Sequence, residues 1–464
     1  MDRIRPYEKN PAYWQYKGRP VLLLGGSVED NLFQIPNLQE HLDLLKSVGG
    51  NYVRCTMSSR DDGDVWPFEA NSEGLYDLEV PNPEYWRRFE AFLKLTTERD
   101  IIVQIELWAT FDFYREYWRA NPFNPACNVN YSPSQSRLPE TVRTHPVGCD
   151  NPFFWSVPAE HDNEVVLRYQ HAFVDKLLSI SLGYPNVLYC MDNETSVTPE
   201  WGWYWAGYIQ AAARQAGVEV HTTEMWDKWD LSHPQHDNTF DHPEIYSFVD
   251  ISQNNHNQGQ AHWDNAQTQL KRVRDSGVLR PVNCVKTYGA DAGRHGNDRD
   301  GQERFWRNVF GGVAACRFHR PFSGLGLDDK AQANIRSMRM IADQMNVFSP
   351  TCRPANDLLV GAHRSANEAY CMADAPRVYA VYFTDGGCVF LDASAAEGKP
   401  LTVQWLDIRS SQWREQVKIS INQTGIDAGS YARRPQDYRF DVTGKIQLAP
   451  PAEGMWAALV KPVP

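Results

Sequence analysis

The stretch VLYCMDNE, residues 187–194, decides the fold, because an apolar run ends here abruptly in three polar residues. A continuous apolar run of this length is typical of a parallel strand that is buried on both faces. In barrel enzymes the chemical groups lie where such strands end. The stretch therefore predicts a barrel strand whose last residues reach a functional site. The alternative is a core strand followed by an ordinary solvated turn.

Seven further apolar segments have the same character, and a helical pattern follows most of them, as at Leu38, Leu42 and Leu45. This alternation predicts an α/β fold, a (β/α)8 TIM barrel over residues 1–347, with a loop-rich insertion at 109–161. The other predicted strands are 21–24, 51–57, 101–107, 218–224, 247–251, 281–286 and 314–318. The predicted helices are 38–48, 84–98, 164–178, 199–216, 263–275, 302–310 and 330–345.

Beyond residue 347 the pattern changes to short strands separated by turns. A Gly-containing turn at 384–387 predicts a hairpin between strands 378–383 and 388–392. Further short strands are predicted at 401–406, 417–421 and 455–460. We therefore expect residues 348–464 to form a small antiparallel β-sandwich.

Composition narrows the class of function. The 464 residues carry a net charge of -12, which argues against a protein that coats nucleic acid or an anionic membrane. No apolar run is long enough to span a membrane. Aromatic residues make up 12% of the chain, and aromatic faces with polar rims suit the stacking of sugars. We expect an oligo- or polysaccharide partner and no cofactor; the oligomeric state stays open.

Nine cysteines occur without a CxxC pair, and most lie inside predicted strands, where a thiol behaves as a small hydrophobe. The amino-terminal residues lack the apolar core of a signal peptide. Together these features predict a cytoplasmic or periplasmic location with reduced thiols.

Carboxylates dominate the predicted strand ends, where Glu106, Asp192, Glu194, Glu224 and Asp250 fall. A group of carboxylates suits glycoside hydrolysis, in which one acid protonates the leaving oxygen and a second carboxylate attacks the sugar or activates water. Metal binding is the rival use of such residues. The histidines between strands five and six show no HxH or HExxH spacing, so no metal site is expected.

The pair Asn193-Glu194 at the end of the fourth strand resembles the clan A retaining glycoside hydrolases. The opening YKGRPVLLLG, residues 16–25, and the C-terminal sandwich are similar to the apiosidase-type barrel family, which carries a collagen-binding-like β-domain. The resemblance implies that Glu194 is the general acid/base and that Asn193 orients the substrate. In apiosidase-type enzymes the corresponding turn contains Asp, which would make Asp192 the competing candidate.

The seventh strand departs from the clan A pattern. A nucleophilic Glu is expected five residues after Pro281, and Lys286 stands there instead. A protonated ammonium has no lone pair and cannot replace a carboxylate nucleophile. The second carboxylate is then expected from another strand, with Glu224 first and Glu106 or Asp250 behind it. Alternatively, the barrel binds sugar without cleaving it, or it is a polysaccharide lyase that uses Lys286 as base or charge stabiliser.

Cationic side chains also gather at the predicted strand ends. They are Arg54, Lys286, Arg317, His319 and Arg320. In an acidic protein such a group predicts an anionic substrate, a sugar that bears uronate or sulfate, because Arg forks match these groups bidentately. The alternative is that these cations form structural ion pairs with neighbouring carboxylates.

Aromatic residues follow several predicted strand ends, and any of them could stack on a sugar ring. Trp226 and Tyr288 are the first candidates, because they follow Glu224 and Lys286 almost directly. Packing between helix and barrel is the alternative role for each of them.

Overall fold

The computed structural model describes residues 2–291, 293–361, 368–396, 399–419, 426–427, 440–441 and 443–463. Eight parallel strands lie at its centre: β1 (Leu23–Gly26), β2 (Tyr52–Thr56), β3 (Ile102–Trp108), β4 (Val187–Asp192), β5 (Thr222–Thr223), β6 (Val249–Asp250), β7 (Val282–Thr287) and β8 (Ala315–Phe318). They pair in the order β5-β4-β3-β2-β1-β8-β7-β6, so the first and eighth strands are neighbours. This arrangement confirms the predicted (β/α)8 barrel.

A helix follows each strand. The eight are α1 (Leu38–Ser47), α2 (Pro83–Glu98), α3 (Glu164–Ser181), α4 (Pro199–Gln215), α5 (Asp237–Phe240), α6 (Gly259–Asp275), α7 (Asp298–Phe310) and α8 (Asp329–Gln344). Among the described residues, no helix is long and apolar enough to cross a membrane.

Strand β4 shows why its sequence is apolar. All six of its residues are buried, because it pairs with β3 on one side and β5 on the other. The polar residues begin only where β4 reaches the carboxyl end of the barrel. The sequence therefore changes from apolar to polar at the carboxyl end of the strand, where the functional residues of a barrel lie.

Strands β5 and β6 are shorter than predicted, with two residues each in place of the segments 218–224 and 247–251. No ladder between them is present in the described part of the chain. Side chains replace it: the Thr222 N–H donates to Ser247 Oγ at 3.2 Å, and the Thr222 hydroxyl donates to the Ile245 carbonyl at 2.6 Å. Bonds of this kind consume the backbone groups that a longer ladder would need.

A small antiparallel sheet covers the amino-terminal end of the barrel, and the sequence pattern did not predict it. Its strands are Arg5–Tyr7, Asn10–Tyr16 and Arg19–Val21. Trp14 is fully buried, and its indole N–H donates to Asn283 Oδ1 in β7 at 3.0 Å. The sheet thus closes the end of the barrel opposite the strand carboxyl ends.

Two segments between barrel strands carry further structure. A hairpin of Phe68–Ala70 and Tyr76–Pro81 follows β2, and the insertion after β3 contains the short helices Arg115–Ala120 and Pro133–Ser136. Loops after strand ends lie at the carboxyl face of a barrel, so both segments can shape a site there.

The C-terminal residues form two packed antiparallel sheets, the predicted sandwich. The first contains Arg353–Pro354, Ala369–Asp374, Val378–Phe383, Leu401–Asp407, Gln412–Trp413, Val417–Ile419 and Trp456–Pro462. The second contains Leu359–Val360, Val389–Asp392 and Lys445–Leu448. Ile426–Asp427 pairs separately with Phe440–Asp441. The end of the strand predicted at 417–421 lies outside the described residues.

The hairpin predicted across residues 384–387 is wrong. Val378–Phe383 pairs with Ala369–Asp374 and Trp456–Pro462, whereas Val389–Asp392 lies in the opposite sheet. All six residues of Val378–Phe383 are buried, which requires a neighbour on each side and a layer on each face. The Gly-containing turn therefore carries the chain from one sheet to the other.

One face of the sandwich packs against the barrel. Tyr382 stacks on Trp306 of α7 with ring centroids 5.0 Å apart, and Tyr370 lies 4.9 Å from Trp263 of α6. Alternate residues of the same strands, such as Val381, point into the sandwich core instead. Because side chains alternate along a strand, one set fills the sandwich core and the other set packs against the outer surfaces of α6 and α7. The division of the chain at residues 347 and 348 stays a prediction.

Gly25 allows β1 and β2 to approach closely. An added Cβ would lie 1.8 Å from the carbonyl oxygen of Tyr52, which is backbone and cannot move aside. We expect Gly25→Ala to prevent folding or to lower the free energy of unfolding by more than about 3 kcal/mol. Denaturant unfolding of the soluble fraction measures this loss.

Gly207→Ala is the matched control. Gly207 lies inside α4, and nothing lies within 4 Å of its added Cβ. Because Ala has the higher helix propensity, this change should stabilise the protein by roughly 0.5–1 kcal/mol. Equal behaviour of the two variants would contradict the packing argument.

Candidate functional site

A cleft of about 940 Å³ opens at the carboxyl ends of the barrel strands. Glu194, Asp227, Lys286 and Tyr288 line it, and they follow or end β4, β5 and β7. Part of one wall comes from the insertion after β3. The cleft therefore lies where (β/α)8 barrels bind their ligands.

Glu194 lies at the centre of this cleft. Its backbone adopts a left-handed conformation, with φ at 53°. Its Oε1 accepts bonds from the Lys286 ammonium, from the Tyr288 hydroxyl at 2.9 Å and from the Gln253 amide at 3.1 Å. No described residue hydrogen-bonds to its Oε2, so that oxygen is free to meet a ligand.

The protonation state of Glu194 is set by two opposing effects. Burial favours the neutral acid, but the ion pair with Lys286, the nearby charge of Arg54 and the Tyr288 hydrogen bond outweigh it. They lower the pKa of Glu194 to about 2. Glu194 is therefore a carboxylate at neutral pH.

Arg54 forms the floor of the cleft. Its guanidinium binds both oxygens of Glu106, at 2.7 and 2.6 Å, and donates to Asp30 at 2.7 Å and to Asn193 Oδ1 at 2.5 Å. Burial favours protonation of Asp30, but the charge of Arg54 and of its cationic neighbours overcomes this and holds its pKa well below the ordinary range. The floor is therefore a fixed, charged network that holds Asn193 beside Glu194.

Asp227 is a second carboxyl group in the cleft. Its backbone N–H donates to the Thr195 carbonyl at 2.8 Å, which fixes it next to the loop of Glu194. No hydrogen bond joins its side chain to any described residue. Burial and the negative charge of Glu194 raise the pKa of Asp227 to about 7. Asp227 thus holds a proton under conditions in which Glu194 holds none.

Glu224, the first candidate for the second carboxylate, does not line the cleft. It is buried against α4: a Cβ added to Gly202 would lie 2.6 Å from its Oε2. Its Oε1 accepts the backbone N–H groups of Asp192 at 3.0 Å and Met225 at 2.9 Å. It thereby connects the ends of β4 and β5 below the cleft.

Asp192 lies in the same buried place and also does not line the cleft. Its Oδ1 accepts from the Trp201 indole at 3.3 Å, and its Oδ2 has no described partner. Burial and the charge of Glu224 raise the pKa of Asp192 well above its usual range. Burial raises the pKa of Glu224 to about 7. The pair therefore keeps a proton at neutral pH.

Three other predicted residues also lie behind the cleft wall. Asp250 accepts from Ser252 N–H at 2.8 Å and from its hydroxyl at 2.9 Å. Arg317 is fully buried and donates to the Ser27 hydroxyl and the Val285 carbonyl. Trp226 is buried, and its indole N–H donates to Thr239. Each of these contacts is internal to the barrel.

The structure brings the remaining predicted residues together. Arg54, Asn193, Lys286, Tyr288 and His319 all line the cleft, and Glu106 lies directly below as the partner of Arg54. The Tyr288 ring lies 4.6 Å from His319. Residues from distant strands therefore meet as the strand-end argument expects.

The cations that suggested an anionic substrate are internally neutralised or buried. Lys286 pairs with Glu194, Arg54 with Asp30 and Glu106, and Arg320 with Glu29 at 2.9 Å. These three side chains therefore form structural ion pairs, which was the alternative to an anionic substrate. Glu29 and Asp30 supply partners from the loop after β1.

Several cleft residues were not among the sequence candidates. They are Asp227, Trp229, His145, His256, Arg294, His295 and Phe322. All lie in the connections between barrel strands and helices, His256 at the end of the 3-10 helix Ser252–His256, where neither strand nor α-helix periodicity indicates which side chain faces the cleft. For Trp229 a signal existed, since it follows the candidate Trp226 in the same loop.

No grouping of three or more His, Cys, Asp or Glu side chains able to hold a metal ion occurs within the described ranges. Two of the cleft histidines, His256 and His295, lie with their rings 4.6 Å apart.

Glu224→Gln tests the buried carboxyl pair. In the folded protein Glu224 keeps a proton that the unfolded chain releases above about pH 4.3, so stability falls as pH rises towards 7. Gln keeps an oxygen for the two backbone N–H groups and does not titrate. We expect the variant to gain on the order of 2 kcal/mol over the wild type between pH 4.5 and pH 8.

Urea unfolding at the two pH values measures this difference. Glu219→Gln is the control, because Glu219 is exposed and forms no ion pair with a described residue. It should leave the pH dependence of stability unchanged. The same pH dependence in Glu224→Gln and the wild type would contradict a shared buried proton.

Comparison with known proteins adds one finding about the fold. No family model and no curated protein matches the sequence. Among solved structures, a family 5 glycoside hydrolase from Bacteroides vulgatus is 12% identical with a TM-score of 0.61, covering 99% of this chain and 93% of that one. An endo-1,4-β-mannanase from Rhizomucor miehei is 12% identical with a TM-score of 0.50, covering 73% and 99%. The chain thus has the (β/α)8 fold of these hydrolases, and the apiosidase-type resemblance stays a prediction.

Proposed function

We propose that this protein is a glycoside hydrolase that cleaves an O-glycosidic bond in an oligo- or polysaccharide. One observation carries the proposal: Glu194 and Asp227 both line the cleft, and Glu194 pairs with Lys286 whereas Asp227 forms no ion pair with a described residue. The pKa of Glu194 is therefore lowered to about 2, and burial together with the charge of Glu194 raises the pKa of Asp227 to about 7. Glycoside hydrolysis needs this combination, an acid for the leaving oxygen and a carboxylate for the sugar or the water. The likeness of the fold to glycoside hydrolases supports it.

Asp227 is the proposed general acid. It transfers its proton to the glycosidic oxygen as the bond from that oxygen to the anomeric carbon breaks, so the leaving group departs as an alcohol. A pKa near 7 keeps the proton available at neutral pH. No hydrogen bond to a described residue holds this carboxyl group, which leaves it free to meet the substrate.

Glu194 is the proposed base or nucleophile. Its Oε2 either accepts a proton from the water that attacks the anomeric carbon, or bonds to that carbon until water releases the sugar. In both cases water supplies the hydroxyl group of the new reducing end. Its other oxygen stays bound to Lys286, Tyr288 and Gln253, which fixes the orientation of the carboxylate.

This assignment reverses the role that the clan A resemblance implies for Glu194. A general acid must hold a proton, and the Lys286 ammonium at the strand-seven position disfavours one on Glu194. Lys286 thus stands where a nucleophile was expected and instead keeps Glu194 ionised. The second carboxyl group then comes from the loop after β5.

Aromatic rings at the mouth suit the binding of sugar rings. Trp229 is 54% exposed and Phe322 is 84% exposed, and both line the cleft. An exposed aromatic face beside polar groups is suited to stacking on a sugar ring. We assign them as stacking platforms in place of Trp226, whose ring is buried.

The two catalytic roles respond differently to the leaving group. Asp227→Asn should lower kcat/KM about 10²- to 10⁴-fold on natural oligosaccharides, and far less on dinitrophenyl glycosides, whose leaving group needs no proton. Glu194→Gln should remove activity on both, because it acts on the sugar side. Steady-state kinetics over a panel of glycosides measures the split.

Asp227→Asn and Glu194→Gln serve as controls for each other, since both replace a carboxyl group with an isosteric amide. Full activity of either variant would contradict its assigned role. Absence of turnover on every glycan would favour the non-catalytic binding barrel. An unsaturated product that absorbs in the ultraviolet would favour the lyase with Lys286 as base.

The pH profile follows from the two pKa values. As pH rises through about 7, Asp227 loses its proton, so kcat/KM should fall. The acid limb should lie near pH 2, where Glu194 becomes protonated. Lys286→Gln removes the charge that opposes burial, so we expect the acid limb to move upward by at least one pH unit.

The profile is measured on one substrate for the wild type and Lys286→Gln. Arg60→Gln is the control: Arg60 also lines the cleft but pairs with Asp112 at 2.9 Å. It should leave the acid limb in place. An unshifted limb in Lys286→Gln would show that Lys286 does not set the ionisation of Glu194.

A further inference from the structure

Four nitrogen-bearing side chains line the cleft within electrostatic range of one another, since Arg294 acts on each of three histidines: His145, His256, Arg294 and His295, here called the rim cluster. They come from three different loops, after β3, β6 and β7. The rings of His256 and His295 lie 4.6 Å apart. His295 in turn lies 4.5 Å from the ring of Tyr288, whose hydroxyl binds Glu194. The cluster therefore begins one side chain away from the proposed catalytic carboxylate.

Arg294 differs from the other cations of the cleft. Lys286, Arg54, Arg60 and Arg320 each pair with a carboxylate, whereas Arg294 forms no ion pair with any described residue. A guanidinium without a carboxylate partner keeps its planar donor fork available. The unpaired positive charge of the cleft is thus concentrated in the rim cluster.

The three imidazoles contribute hydrogen-bond donors, and they carry no negative charge that would repel an anion. Burial lowers the pKa of each, and neighbouring groups lower it further: Arg115 and Arg294 for His145, Arg294 for His256, and His256 and Arg294 for His295, whose pKa falls to about 4. At neutral pH they are uncharged, and each then carries one N–H donor. His145 accepts the Val147 N–H at its Nδ1, which places its own hydrogen on Nε2. This donor remains for a ligand.

We propose that the rim cluster is a subsite for an anionic group, a carboxylate or a sulfate, on a sugar of the substrate. Arg294 supplies the charge and a bidentate fork, and the imidazoles supply neutral donors around it. The substrate class is then an acidic glycan. This inference rests on the proposed function for the cleft, but on different residues from the strand-end cations that first suggested such a substrate.

Direct binding tests the subsite without requiring turnover. The probes are matched methyl glycosides that are neutral, oxidised to the uronate, or sulfated at the 6-position, titrated into the wild type by calorimetry. We expect the wild type to bind at least one acidic member about tenfold or more tightly than its neutral counterpart. Comparison of uronate with sulfate then identifies the anion.

Arg294→Gln should abolish this preference and leave the affinity for the neutral glycoside unchanged. Arg274→Gln is the matched control, because Arg274 is exposed in the last turn of α6, at the opposite end of the barrel from the cleft, and should keep the preference. The preference should also weaken at higher salt concentration.

The outcomes separate the two proposals. Equal binding of neutral and acidic glycosides by the wild type, or an acidic preference that survives Arg294→Gln, would overturn the anionic subsite. Hydrolysis of neutral glycans with no acidic preference would leave the glycosidase intact and remove only the subsite. An Arg294-dependent acidic preference without turnover on any glycan would support the subsite and overturn the hydrolase.

Discussion

The buried guanidinium of Arg54 is the interaction on which the cleft depends. Arg54 lies in β2 and binds Glu106 in β3, Asp30 after β1 and Asn193 after β4, so it connects four consecutive strands. Removal of one partner from a buried pair leaves an uncompensated charge and typically costs about 3–5 kcal/mol. The carboxyl ends of these strands are therefore held in one arrangement. Because Arg54 holds Asn193, it also positions the backbone of the next residue, Glu194.

The second buried cation, Lys286, determines what Glu194 can do. In a low-dielectric site a neighbouring ammonium favours the charged form of a carboxyl group, while a neighbouring carboxylate favours the neutral form of the next one. Lys286 therefore ionises Glu194, and ionised Glu194 helps to keep the proton on Asp227. Lys286, at the position where the clan A resemblance implies a Glu, thus influences the pKa of both Glu194 and Asp227.

Sequence reasoning predicted the barrel and the meeting of Glu194, Lys286 and Tyr288, because long buried strands show their period and their ends clearly. The sequence predicts Glu224 in the cleft only on the assumption that β5 spans the seven residues 218–224. Only two residues form that strand, and Glu224 lies beyond its end. The alternation of side chains along a strand therefore does not predict the direction of Glu224, which faces α4. Asp227 lies in the following loop, where no period applies. Loop conformation, which depends on tertiary contacts, was the missing information.

The cleft residues differ in how the structure holds them: some lie on backbone that is hydrogen-bonded to neighbouring strands, and others do not. The loops of Glu194 and Asp227 are joined by backbone bonds between Thr195, Met225 and Asp227, and Glu224 connects the strand ends beneath them. Such bonds do not depend on long side chains, so the backbone positions of Glu194 and Asp227 are fixed relative to each other. The side chains of Arg294 and Trp229, by contrast, form no hydrogen bond with a described residue. In the proposed function, the reacting groups therefore lie on backbone that is bonded to the strand ends, and recognition of a particular sugar lies on the rim, where substitutions should change selectivity without disturbing the reacting groups.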